Sequence, residues 1–532
     1  MEGLEVTLTT VFTIARVSIY TALAAGLALT VFVLLNELIS YSKLGYYKKQ
    51  VVKTYYFPVI GLLKLAKPLL FKKNKEESPI SESEDLIAGN HFMSTEPHLL
   101  ITSPKLLSEY FLQETSHFTR ISSATSNDDS ESFFFDYTEN GHKMRGLFVD
   151  FFRMENINKI VPDIAEVFEK KFDKFIEDNW GKEGERDPKS IREWKTLDLE
   201  HTISEAFDEM VNVVFFGETD KDAIPTIDGK MYSVFIQELS LKGIAAMKKP
   251  FNILTKHFFY FNKLNKDGRE IQKMILKTQE EMGKFYKKRL SSSQKRGLGT
   301  NLMDILIKKD QEMINAGKPD QVFTPKTIAN TTRAFYIAGY DTSKSNSSIG
   351  LCWLSRNPEV QSKLRDAFKT LDQAQNGGSI DLNSSEYVNE FTMENLRRFG
   401  PAYKTIPRLC LKTCKLGKYT IRKGTTLQID LQRIHSNPES FKDPFEFKSE
   451  RFEDLTKAKG LRRKNKFIPF LAGRRSCIGQ YLGECVVKIV LKTVLDRFEL
   501  GIPEDRKGKD LGLNVRFTLE AEDVKLNLRL LK

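Results

Sequence analysis

Cysteine is scarce in this chain, with five residues (Cys352, Cys410, Cys414, Cys477 and Cys485) among 532. An odd and sparse set does not build a disulfide framework, so the bulk of the chain is expected to face a reducing compartment. Cys410 and Cys414 have the spacing of half a metal clip, yet no second pair answers them. A single cysteine cannot close a zinc site or an iron–sulfur cluster, each of which takes about four protein ligands. Helix-turn-helix and finger spacings are also missing, so the net charge of +12 gives no reason to expect nucleic acid. Lysines and acidic residues interleave through most of the sequence. Nucleotide and flavin motifs are absent as well, and redox chemistry here would draw its electrons from another protein.

Charge itself is missing from Val17 to Asn36, where Leu, Ala and Val dominate. At about 1.5 Å per residue, a helix over this stretch reaches roughly 30 Å, the depth of one hydrocarbon core. The run is long for a signal-peptide core, and no small-x-small cleavage site accompanies it. Glu2, Glu5 and Arg16 precede it, whereas Lys43, Lys48, Lys49 and Lys53 follow. That bias places the C-terminal bulk in the cytosol. We therefore expect a lumenal N-terminus over 1–16, a single-pass signal anchor over 17–36 in the endoplasmic reticulum membrane, and a membrane-proximal linker over 37–84. Within the linker, residues 51–71 mix apolar, aromatic and lysine side chains and suit a membrane surface.

What the chain does contain is concentrated in Phe470 to Gly479, FLAGRRSCIG. A cysteine stands two residues after an arginine and two before a glycine, and a moderately apolar stretch follows from Gln480 to Val494. A glycine-bearing loop that presents a thiolate and then enters a helix suits a soft or borderline metal. Glycine lets backbone approach the ligand, and N–H groups at a helix start stabilise negative sulfur. One thiolate on an open metal fits heme best. The segment resembles the heme-binding loop of the cytochrome P-450 superfamily, F-x-x-G-x-R-x-C-x-G, with Phe470, Gly473, Arg475, Cys477 and Gly479 in its fixed places.

Two further segments match that resemblance in order. Thr324 to Arg356 reads as a long helix with Thr324 as N-cap and Pro325 at the first helical position. Its centre, Ala338-Gly339-Tyr340-Asp341-Thr342-Ser343, is poor in helix propensity and predicts a local break. It resembles the family's A-G-x-D/E-T-T/S motif, which implies Thr342 hydrogen-bonding the oxygen to be activated and Asp341 relaying protons to it. Glu394 and Arg397 lie at i and i+3 on one helix face and, taken alone, read as a solvated pair. Followed by Arg398-Phe399-Gly400-Pro401, they resemble the E-x-x-R element, whose Glu and Arg are buried and lock to a downstream arginine. Arg451 in Ser449-Glu450-Arg451-Phe452 fills that place, with serine for the usual proline. His435-Ser436-Asn437-Pro438 resembles the family's H-R-D-P turn, with a structural role.

Weaker matches are Arg408, at a position implying a heme propionate partner, and His142 and Arg145, which would reach a propionate from a W-x-x-x-R element whose tryptophan is missing here. Tyr419 to Asp430 alternates around Lys423-Gly424 and reads as a hairpin. Residues 118–141 and 231–261 are expected to roof the heme and its access channel, with Phe133, Phe134 and Phe135 as an apolar wall. Lys457, Lys459, Arg462, Arg463, Lys464 and Lys466 form a basic cluster just before the cysteine loop, suited to an acidic electron donor.

The fold implied is mainly α with a smaller β-rich part, the cytochrome P-450 fold preceded by a transmembrane helix, with a heme-thiolate catalytic domain over 85–532. The activity implied is monooxygenation of a hydrophobic compound (a lipid, fatty acid or sterol-like molecule) by O2. The resemblance implies heme b as the cofactor and Cys477 as the axial ligand, with electrons passing from NADPH through a flavoprotein reductase. The alternative is a heme-thiolate isomerase or dehydratase of lipid peroxides, needing neither O2 nor reductase. Asp341-Thr342 argues against that alternative, and against a non-catalytic heme carrier.

Overall fold

The computed structural model describes residues 42–50, 53–55, 85–90, 97–120, 145–146, 148–217, 224–248, 266–296, 299–317, 324–374, 381–515 and 518–531, with positions 31, 35, 38 and 39 before them. Most of the expected anchor over 17–36 lies outside these residues, as do His142, most of 118–141 with Phe133 to Phe135, and 249–261. No described helix is long and apolar enough to cross a membrane. The chain forms two compact units, residues 1–106 with 407–429, and residues 107–406 with 430–532.

The first unit is built on strands. Lys53–Tyr55, Leu86–Asn90, Pro97–Ile101, Thr426–Ile429 and Arg408–Cys410 lie side by side in that order. Leu99 faces Leu427 and Ile101 faces Ile429 across the parallel pair, and all four are buried. Along Thr426–Ile429 buried and half-buried residues alternate, as the pleat requires. The hairpin expected around Lys423-Gly424 does not form. Tyr419–Ile421 pairs instead with Cys414–Leu416, because Gly417, at φ 55°, makes a two-residue turn nearer to hand. Gly424 folds back on Cys410, its N–H 2.8 Å from that carbonyl. Helical residues 42–48 rest on the segment after this hairpin, through Tyr47 Oη and Thr425 Oγ1 at 2.7 Å and the Arg422 guanidinium 3.4 Å from the Tyr46 ring.

The second unit is mainly helical: α1 Leu107–His117, α2 Met154–Trp180, α3 Glu200–Phe216, α4 Tyr232–Lys248, α5 Lys266–Arg296, α6 Leu302–Asn315, α7 Pro325–Leu354, α8 Pro358–Ala374, α9 Glu386–Phe399, α10 Leu455–Arg463 and α11 Gln480–Arg497. A three-stranded antiparallel sheet, Lys195–Asp198 and Phe498–Gly501 on either side of Lys525–Leu530, completes it. Apolar faces of α2, α3, α5, α7, α8 and α11 meet in one core.

α7 sets the frame for the site. Thr324 caps it, accepting from the Thr327 N–H at 3.1 Å, with Pro325 at the first position. The helix is buried along nearly its whole length, although it is rich in Thr, Ser and Asn. Some return their hydroxyls to the helix itself, Thr332 to the Ile328 carbonyl at 2.7 Å and Ser347 to that of Ser343 at 2.9 Å, while Ser345 and Asn346 bond outward to the carbonyls of Leu519 and Phe399. The break predicted at Ala338 to Ser343 is absent, and α7 runs through it without interruption. Thr342 Oγ1 donates to the Ala338 carbonyl at 2.5 Å, so its hydroxyl is satisfied within the helix rather than against it.

Candidate functional site

The cysteine loop begins where Phe467, fully buried, packs on Phe452 at 4.7 Å between ring centroids. Leu471 turns the chain at φ 62°, and its N–H donates to the Ile468 carbonyl at 2.9 Å. Gly473 follows at φ 76°, and a Cβ there would lie 3.2 Å from the Phe111 ring of α1. Both the backbone angle and the close approach require glycine. Cys477 N–H then donates to the Phe470 carbonyl at 2.8 Å, closing the loop. Gly479 precedes the first residue of α11.

The Cys477 thiol is exposed, but it sits in a protein surrounding that desolvates the charged form and raises its pKa. The Gly479 N–H and the positive charge of Arg145 oppose that shift. Arg145 donates from Nη2 to the Ser476 carbonyl at 2.7 Å, so it holds the residue before the cysteine. An accessible thiol of this kind binds a metal, which displaces its proton outright. Among the described residues no group of three or more His, Cys, Asp or Glu could hold a metal ion. A lone thiolate donor suits a metal that brings its other ligands with it, as heme iron does.

α7 lies beside this loop. A Cβ on Gly483, one turn into α11, would be 3.8 Å from both the Phe470 ring and Ser343 Oγ. Flanked by buried turns, Ile337, Ala338, Asp341 and Thr342 are half-buried and Gly339 is exposed. A Cβ on Gly339 would meet nothing within 4 Å. The surface of α7 at Gly339 is thus open. Burial, and then the nearby Glu520 charge, push the Asp341 carboxyl up to about 6, against the pull of Lys344. Lys344 is paired with Glu200 of α3.

Behind the loop, Glu394 and Arg397 of α9 are fully buried. Arg397 Nε and Nη2 donate to the two Glu394 oxygens at 2.6 and 2.7 Å. Glu394 also accepts from the Lys448 N–H at 2.8 Å, and Arg451 Nε lies 3.3 Å away. Arg397 Nη1 reaches the carbonyls of His435 and Pro444, both at 2.8 Å. Planar guanidinium geometry makes this a bidentate pair with every lobe occupied. His435 is buried, and desolvation with the Arg397 charge lowers its pKa to about 3.

Of the other sequence candidates, Arg475 is buried in the second unit and Arg408 in the first. In the basic cluster Lys459, Arg463 and Lys464 are exposed, whereas Arg462 faces Glu484 at 3.5 Å and the Phe467 ring at 5.6 Å. Sequence reasoning missed the bond from Arg145 to the loop and the inward contacts of His435. The only signal for the second was the H-R-D-P-like turn.

A family model described as cytochrome P450 matches residues 89–528. Similar proteins include cytochrome P450 82A1 of Pisum sativum, 32% identical over 39% of this chain and 39% of that protein. Steroid 17-alpha-hydroxylase/17,20 lyase of Sus scrofa is 25% identical over 64% of this chain and 66% of its own length. Costunolide synthase of Cichorium intybus is 28% identical over 40% and 42%. The matched part of the chain therefore spans between 39% and 66% of these relatives.

Proposed function

The chain belongs to the cytochrome P450 family, and from that premise we propose that it is a membrane-anchored heme-thiolate monooxygenase. It would insert one atom of O2 into a hydrophobic substrate (a lipid, fatty acid or sterol-like compound), with electrons from an NADPH-dependent flavoprotein reductase. Names of relatives such as a steroid hydroxylase and costunolide synthase favour apolar substrates. The observation that carries the reading is Cys477: an accessible thiol, closed into its loop by the Phe470 carbonyl at 2.8 Å, at the head of α11.

Heme b, when bound, would supply the oxygen-activating iron, and a thiolate ligand favours O–O cleavage. Cys477 would be that ligand, with the Gly479 N–H and Arg145 steadying its charge. Phe470, against Gly483, would pack the loop beside the cofactor, while Arg475 and His142 are proposed cofactor contacts. Thr342, its hydrogen given to the Ala338 carbonyl, would offer its hydroxyl oxygen as an acceptor from the open side of α7. Asp341, with a pKa near working pH, can take and release a proton, as a relay requires. Glu200 and Lys344 are charged groups that could resupply it from solvent. The apolar run 17–36, with lysines after it, would hold the catalytic part at the cytosolic face of the endoplasmic reticulum.

If Asp341 acts as the acid, turnover falls as pH rises through about 6. Asp341→Asn should lower turnover by about 100-fold and remove that limb from the pH–rate profile, while substrate affinity stays unchanged. A profile identical to wild type would remove Asp341 from the relay. For the donor, Lys459→Glu with Arg463→Glu should raise the KM for reductase by about tenfold at low salt, with the difference vanishing at high salt. Unchanged reductase kinetics would place the docking surface elsewhere.

The reading as a whole is tested by turnover with isotopically heavy O2. One labelled atom in the product, dependent on NADPH and reductase, supports it. Turnover of a lipid hydroperoxide without either would favour the isomerase or dehydratase reading.

A further inference from the structure

We propose that His435 is a positioning residue for the cysteine loop, carrying the geometry of the buried Glu394–Arg397–Arg451 cluster into the backbone that presents Cys477. What the loop is for rests on the heme-thiolate reading above; how it is held does not.

Three hydrogen bonds make the connection. Arg397 Nη1 donates to the His435 carbonyl at 2.8 Å, which fixes the backbone at the end of the short helix Leu431–His435. The ring of His435 accepts at Nε2 from the Ile468 N–H at 3.0 Å. The Ile468 carbonyl accepts from Leu471 N–H at 2.9 Å, at the residue whose left-handed backbone reverses the chain. Both polar groups of Ile468 are therefore committed, one to the cluster and one to the turn. The Phe467 ring lies 5.6 Å from the imidazole, so the ring is held by packing as well.

The chemistry of the ring fits this task. A backbone N–H can only donate, so Nε2 presents its lone pair and the neutral ring carries its proton on Nδ1. Burial and the neighbouring Arg397 charge keep it neutral. His435 and Ile468 are both almost wholly buried. An aliphatic side chain in place of the imidazole would leave the Ile468 N–H buried without an acceptor, a state that folded chains avoid by rearranging. The segment that would rearrange is the one leading into Cys477.

Glutamine separates acceptor from ring, because its Oε1 can reach the place of Nε2. The full-length holoenzyme would be compared as wild type, His435→Leu and His435→Gln. Amide hydrogen exchange over residues 466–478 gives a readout independent of heme. Exchange there should accelerate by about tenfold or more in His435→Leu and stay within about threefold of wild type in His435→Gln. The reduced carbon monoxide complex should lose its long-wavelength, thiolate-type band at least about tenfold faster in the leucine variant. Equal protection in wild type and His435→Leu would overturn the proposal, and so would a glutamine variant as unprotected as leucine. Should His435→Leu not fold, His435→Gln decides alone: wild-type protection supports the acceptor role, and its loss rejects it. A wild-type protein lacking the thiolate band would reject the heme-thiolate reading, while the exchange data still judge His435.

Discussion

Cys477→Ala is expected to reduce turnover to less than roughly a thousandth of wild type, about 4 kcal/mol in barrier, with loss of heme from the purified protein. Removing this side chain takes away the single sulfur that the loop presents. The surroundings are built for that atom. Gly473, with its left-handed φ, and the bond from Cys477 N–H to the Phe470 carbonyl shape the turn. The Gly479 N–H and Arg145 then aim positive potential at the sulfur. Cys352, Cys410, Cys414 and Cys485 are all buried, so none of them offers a substitute thiol. Cys477→Ser is the sharper comparison, since it preserves size while exchanging a soft donor for a hard one. Its heme content should lie between the two, with the thiolate signature gone. Wild-type turnover in either variant would refute the assignment of Cys477.

The second large effect is expected at Glu394. Glu394→Gln removes the charge that two Arg397 nitrogens, Arg451 and the Lys448 N–H all address. Arg397 would remain fully buried with its main countercharge gone. Breaking a buried pair from one side costs about 3–5 kcal/mol, a large part of the 5–15 kcal/mol that holds a typical domain together. Denaturant unfolding of the full chain should show this loss, with heme dissociating at lower denaturant than in wild type. Because the partner's desolvation dominates the cost, replacing Glu394 and Arg397 together by apolar residues should be less damaging than the single change predicts. A single-variant change below about 1 kcal/mol would mean that the cluster is hydrated and not structural.

The sequence made some of this plain and hid the rest for physical reasons. The cysteine loop was legible because its residues are local: glycines, arginine and cysteine within ten positions carry both the turn and the chemistry. The capped start of α7 was legible for the same reason. The break predicted at Ala338 to Ser343 did not occur, because Thr342 bonds the carbonyl one turn back. Propensity alone cannot say whether such a hydroxyl breaks a helix or serves it. Around Gly417 and Gly424 two turn signals compete, and the strand partners decide which becomes the hairpin.

Longer-range contacts left still less trace. Spacing placed Glu394 and Arg397 on one helix face, but only burial turns a surface pair into a lock. The carbonyl that Arg145 holds is at Ser476, 331 residues away. The ring of His435 reaches a backbone N–H 33 positions on. The first has no pattern in sequence and the second only the H-R-D-P-like turn, because each contact is made by the fold.

The most direct test of the account is the carbon monoxide difference spectrum of the dithionite-reduced, purified protein. Ligation by Cys477 predicts a band at the long-wavelength position characteristic of thiolate-ligated heme. A band only at the shorter position seen with a histidine or protonated-thiol ligand, or no heme band at all, would contradict it.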